Sequence, residues 1–142
     1  MDRSGFIFNE KLEARQSMRA VVVEGKLPSL PSRADEARAM AENIGYEIVD
    51  VMVQKRKTDH HSYFIGPGKV DELKEIVDAN EVETVIFANT LPSSQVFKIQ
   101  KRLGGEIRVI DRNLLILEVF DRRAMTKEAK LQIKLAKLKY TL

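Results

Sequence analysis

The residues of this 142-residue chain that could do chemistry are few, and their types suit holding an anion better than breaking a bond. Gly66-Pro67-Gly68-Lys69 stands where an apolar-periodic segment begins. At a helix start, unsatisfied backbone N–H groups and the helix dipole favour negative charge, so Gly66, Gly68 and Lys69 could contact a phosphate. The same four residues also suit a plain strand-to-helix turn, in which glycine takes backbone angles that other residues avoid. The third glycine of a dinucleotide fingerprint is missing, and Pro67 has no N–H to donate. No Gly-x-x-x-x-Gly-Lys-Ser/Thr run occurs in the chain, so it holds no phosphate-cradling P-loop.

Other catalytic constellations are absent from the sequence. His60 and His61 are the only histidines, adjacent in a polar stretch, and a zinc site needs about three convergent ligands. With no cysteine there is no disulfide, thiolate metal site or cysteine nucleophile, which fits a reducing cytoplasm. No Gly-x-Ser-x-Gly elbow exists. Two carboxylates remain. Asp111 falls at a strand end, where it could line a ligand crevice or cap the helix that follows. Asp50 falls inside its strand and reads as a rim or edge carboxylate.

Basic residues are the more distinctive feature. The net charge of +3 conceals an asymmetry, because residues 112–142 hold 8 Lys/Arg against 3 Asp/Glu. Such a segment attracts polyanions over a Debye length of ~8 Å at physiological salt, although a solvated helix face has the same composition. Arg122, Arg123, Lys127, Lys130, Lys134 and Lys137 are the candidate contacts there, and Lys55, Arg56 and Lys57 are candidates in the polar stretch after the second strand.

These residues must be positioned by secondary structure. The run Met18 to Glu24 is β-branched and suits a buried strand. Ser32 offers an N-cap, with Asp35 placed for a capping box, and Ala34, Ala37, Met40, Ala41 and Ile44 recur at helical spacing before Gly45. A strand over 46–54, a helix over 69–80, a strand over 84–88, a helix over 92–103 and a strand over 107–111 follow. This alternation implies right-handed crossovers and a small parallel four-stranded sheet flanked by helices, an α/β fold over 18–111. Residues 1–17 read as a tail or edge element.

Beyond Asp111 the pattern changes to a helical subdomain over 112–142. Residues 112–123 are apolar on most sides, which implies burial on more than one face. Thr126 can cap a second helix carrying Leu131, Leu135, Leu138 and Leu142 on one seam. A leucine seam requires a facing helix. Because the row runs to Leu142 without a stop signal, the expectation is an incomplete hairpin whose natural chain continues, or self-association through these leucines. No apolar run approaches the ~20 residues of a bilayer span, and residues 1–18 lack the apolar stretch of a secretory signal.

The segments YFIGPGKVDELKEIV and IRVIDRNLLILEVFDRRAMTKEAKLQIKLAKLKYTL resemble the N-terminal domain of HflX-type GTPases. Asp111-Arg112, Leu115-Ile116-Leu117, Phe120, Arg123-Ala124, Thr126, Glu128 and Lys130-Leu131-Gln132 fall in that family's order and spacing. The first sixty residues match only in strand-helix-strand organisation. Where the family has an acidic pair after the third strand and a Ser-Pro-x-Gln helix start, this chain has Ala88-Asn89 and Pro92-Ser93-Ser94-Gln95, with Lys98 in place of a usual asparagine.

The resemblance implies a parallel α/β layer followed by two antiparallel helices that precede a P-loop GTPase domain. It implies partners in the large ribosomal subunit and its rRNA, regulation of the GTPase, and GTP with Mg²⁺ as cofactors of the GTPase domain rather than of this chain. Hydrolysis by this chain alone is not expected. The alternative is a nucleotide site for ATP or GTP at the carboxyl edge of the sheet.

Overall fold

The computed structural model describes residues 18–56, 65–123 and 134–140. Within them four strands form one sheet: β1 (Arg19–Lys26), β2 (Glu47–Lys55), β3 (Thr84–Phe87) and β4 (Arg108–Ile110). The order is β2-β1-β3-β4 and every pairing is parallel. The helices are α1 (Ala34–Asn43), α2 (Pro67–Ala79), α3 (Ser93–Arg102) and α4 (Arg112–Arg123), followed by a short helix over 134–140, here α5. Among the described residues no helix is long and apolar enough to cross a membrane.

The strand sequences follow from their places in the sheet. β1 lies inside with helices on both faces, so it reads Ala-Val-Val-Val without polar alternation. Val21 and Val23 join Val85, Phe87, Leu73 and Ile99 on the face covered by α2 and α3. Ala20 and Val22 join Ile86, Ala37, Leu115 and Val119 on the face covered by α1 and α4. β2 is an edge strand and its exposure is mixed, with Asp50 and Val53 exposed. A register shift between Ala20 and Val21 skips Val49, and beside it the Asp50 carboxylate accepts the N–H of Val51 at 2.8 Å. Asp50 is thus the edge carboxylate that its position in the strand implies.

Helix boundaries follow the sequence pattern except at the starts of α1 and α2. α2 begins at Pro67 rather than Lys69, because proline suits a first helical position, and Gly66 and Gly68 need no positive φ. Gly45 closes α1 at φ +106, as a glycine after the last periodic residue should. The start differs. Ser32 does not cap α1; the capping position is Arg33, and no side-chain cap bond is made. The Ser32 hydroxyl donates to Glu24 at 2.6 Å and accepts the Ala34 N–H at 3.5 Å, and the Arg33 N–H donates to the same carboxylate at 2.8 Å. Glu24 is only 2% exposed, and these two donors give its buried carboxylate the partners that it needs.

α4 buries Leu114, Leu115 and Val119 against the sheet, while Phe120 on its other side is 54% exposed. The expected burial on a second face is therefore not met by the described residues. The proposed cap at Thr126 lies outside them.

Candidate functional site at the carboxyl edge of the sheet

In an open parallel sheet, ligands collect beyond the carboxyl ends of the strands where the chain switches direction. Here β1 leads to α1 on one face and β3 leads to α3 on the other, so the switch lies between the ends of β1 and β3. Asn89, just after β3, spans that point. Its Oδ1 accepts the N–H of Gly25 at 2.9 Å, and its Nδ2 donates to the Gly25 carbonyl at 3.1 Å. The amide side chain thereby extends the β1–β3 ladder by one unit and takes up both polar groups of a buried glycine.

Asp111 closes the neighbouring strand end. Its Oδ1 accepts the N–H of Leu114, and its Oδ2 accepts the N–H of Leu91, at 3.0 and 3.1 Å. It is the N-terminal cap of α4 and at the same time fastens the loop after β3; at 5% exposure it faces protein rather than a crevice. The Arg112 N–H donates to the Asn89 carbonyl at 3.1 Å, and the Arg112 guanidinium pairs with Glu36 of α1. Backbone and side-chain bonds thus tie together the ends of β1, β3 and β4 at this edge.

The glycine turn is occupied in a similar way. The Gly66 N–H donates to Gln54 Oε1 at 2.9 Å, so it is already committed. Pro67 is the first residue of α2, Gly68 is exposed with open space around it, and Lys69 pairs with Glu72 at 3.0 Å. Lys55 is exposed at the end of β2. Arg56 is 4% exposed, and its N–H donates to the Lys26 carbonyl at 2.8 Å, which carries the β1–β2 pairing one residue further. Arg56 therefore belongs to the interior, not to a surface loop. Lys57, His60 and His61 lie outside the described residues.

The basic candidates at the other end divide too. Arg122 is exposed and lines a shallow depression with Asn43, Ile44 and Gly45. Lys134 is exposed on α5. Lys137, whose side chain is 22% exposed, pairs with Asp121 of α4 at 3.4 Å. Arg123 ends α4, and Lys127 and Lys130 lie outside the described residues, as do Leu131 and Leu142. Leu135 and Leu138 are 55% and 53% exposed. The structure brings Arg122, Lys134 and Lys137 to the α4–α5 side and leaves Lys55, Gly68 and Lys69 at the β2–α2 side; the two groups do not form one site.

A polar cluster at the amino edge was not anticipated. Tyr46 precedes β2, Arg108 opens β4 and Glu118 lies on α4. The Tyr46 hydroxyl donates to Glu118 Oε1 at 3.0 Å and accepts from Arg108 Nη1 at 3.1 Å, while Arg108 also pairs with Glu118. Burial, and then the Glu118 charge, push the tyrosine up to about 12 from 10.0. The three residues are far apart in sequence, and none stands in a motif, so no local signal marks them.

With this geometry in hand, the likenesses to known proteins can be placed. Residues 31–121 match the family described as GTP-binding GTPase N-terminal. The chain is 44% identical over 124 residues to a GTPase HflX of Thermococcus kodakarensis, covering 87% of this chain and 27% of that protein. It is 38% identical over 105 residues to a GTPase HflX of Escherichia coli, covering 74% of this chain and 24% of that protein. It thus spans about a quarter of the length of these relatives. Among solved structures it is similar to SsGBP in complex with GDP, with a TM-score of 0.69 and 31% identity over 86% of this chain and 34% of that one. A GTP-binding protein from Sulfolobus solfataricus in complex with GDP gives a TM-score of 0.67 at 31% identity, over 86% of this chain and 36% of that one.

Proposed function

Since the chain belongs to the GTP-binding GTPase N-terminal family and corresponds to the N-terminal domain of HflX GTPases, we propose that it is a regulatory module that docks on the large ribosomal subunit and its rRNA. The observation that carries this reading is the excess of basic residues over 112–142 in a chain of that family. Arg122 and Lys134 are exposed there and are candidates to meet phosphates, with the sheet as scaffold. Lys137, held by Asp121, contributes more to the α4–α5 contact than to docking. Leu135 and Leu138 offer apolar surface on which a GTPase module or a second copy would pack.

The residues present do not fit a GTP–Mg²⁺ site. The sequence has no P-loop, and among the described residues no group of three His, Cys, Asp or Glu could hold a metal. No step of hydrolysis is assigned to this chain. The competing nucleotide site at the carboxyl edge is disfavoured by Asn89, whose side chain occupies the switch point.

Cosedimentation with large ribosomal subunits tests the docking. Each phosphate contact contributes roughly 0.7–0.9 to the slope of log affinity against log salt. Replacing both Arg122 and Lys134 by glutamate should weaken binding and flatten that slope by roughly 1.4–1.8. A salt-independent affinity, or one that the double variant leaves unchanged, would falsify the reading.

A further inference from the structure

The outer face of α3 carries a feature that the docking of α4 and α5 does not use. Phe97 is 67% exposed, more than any other large apolar residue described. Single exposed apolar side chains are ordinary on protein surfaces, so exposure alone says little. Its surroundings say more. With Val96, Ile99 and Leu103 turned inward, helical geometry sets Ser94, Phe97, Lys98 and Lys101 on the opposite, solvent side.

The charge on this helix is unbalanced. α3 reads Ser-Ser-Gln-Val-Phe-Lys-Ile-Gln-Lys-Arg and contains no carboxylate. Arg102 is neutralised by Asp71 of α2, which accepts from its Nε and Nη2 at 3.1 and 2.8 Å. Among the described residues neither Lys98 nor Lys101 has an ion-pair partner, although α2 beside it pairs Lys69 with Glu72 and Lys74 with Asp78. One planar ring is thus framed by two exposed ammonium groups and a hydroxyl.

A protein partner would call for a contiguous apolar patch around Phe97, and its neighbours on this face are Ser94, Lys98 and Lys101 instead. A nucleobase meets the description better: its π-face stacks on an aromatic ring while lysines neutralise the flanking phosphates. We propose that the outer face of α3 binds unpaired nucleotides of single-stranded RNA, with a base stacked on Phe97 and phosphates held by Lys98 and Lys101. This surface lies across the sheet from α4, so the domain presents RNA-binding groups on both faces. The proposal deepens the rRNA reading above but depends on different residues.

Fluorescence anisotropy of the whole chain with a labelled 12-nucleotide oligoadenylate, and with the same length of duplex RNA, tests it. Phe97→Ala should weaken single-strand binding by roughly five- to 150-fold, the range for loss of one stacked base. Phe97→Tyr should retain it. Lys98→Ala with Lys101→Ala should flatten the single-strand salt slope by roughly 1.4. Because these side chains point to solvent, circular dichroism should show all variants folded. Equal affinity of parent and Phe97→Ala for oligoadenylate overturns the proposal, as does duplex binding as tight as single-strand binding. Should Phe97→Ala instead abolish association with a ribosomal protein while leaving oligoadenylate binding intact, the face is a protein contact and the proposal fails. The Arg122 and Lys134 double variant separates the two sites: it should keep the Phe97-dependent part of oligoadenylate binding whatever it does to subunit docking.

Discussion

Replacing Asn89 by alanine removes the side chain that joins the ends of β1 and β3. Two bonds go, at 2.9 and 3.1 Å, and both belong to the backbone of Gly25. Gly25 is buried, so its N–H and carbonyl would be left facing protein. Each such bond contributes ~1 kcal/mol net, and a buried group left without a partner costs ~1–3 kcal/mol, which puts the loss for the two groups at about 2–6 kcal/mol. That is a large share of the 5–15 kcal/mol typical of a domain. With a urea slope of ~2 kcal/mol/M, the unfolding midpoint should fall by about 1–3 M. Thr90→Ala, an exposed change one residue away, should move it by less than ~0.5 kcal/mol and serves as control. If Asn89→Ala costs no more than Thr90→Ala, water replaces the amide at no loss, and the claim that this side chain seals the switch point is wrong.

Tyr46 should make the fold sensitive to alkali. Its folded value of about 12 lies above the unfolded 10.0, so its contribution is complete below pH 10 and is lost as pH rises from 10 toward 12, by about 3 kcal/mol in all. Tyr46→Phe should therefore lose ~1–2 kcal/mol at pH 7 by thermal unfolding and show a shallower decline between pH 10 and 12; an equally steep decline in parent and variant counts against this. Asp111→Ala should cost about 2–4 kcal/mol, since two backbone N–H groups lose a carboxylate, and amide exchange should speed up at Leu91 and Leu114 together. Unchanged protection at Leu91 would show that the loop after β3 is fastened by something else.

The elements that depend on local pattern were legible from residue order. The β-branched run of β1 suits a buried strand and is one, Gly45 ends its helix as expected, and of the two roles open to Asp111 the structure shows the cap. What was not legible depends on pairs distant in the chain. Ser32 carries the local signs of a helix cap, but the capping position falls one residue later, at Arg33, and the partner of the serine proton is Glu24, eight residues back and buried. Arg56 looks like the start of a charged loop because Lys55 and Lys57 flank it, and only the pairing with Lys26 shows that the chain is still in register with β1. Asn89 departs from the family's acidic pair at that place; its meaning appears once Gly25, in the first strand, is found against it. Tyr46, Arg108 and Glu118 belong to three separate elements and share no spacing that a linear reading could detect.

α4 is fastened at its first turn by Asp111, at Arg112 by Glu36 and in its middle by Glu118, which is held from two strands' ends. Ties at both levels leave the helix no hinge against the sheet. A displacement of α4 is therefore resisted at both of these ties. Swinging the helix away would first have to part Glu118 from Arg108 at the start of β4 and from Tyr46 just before β2, so α4 belongs to the layer rather than hanging from it.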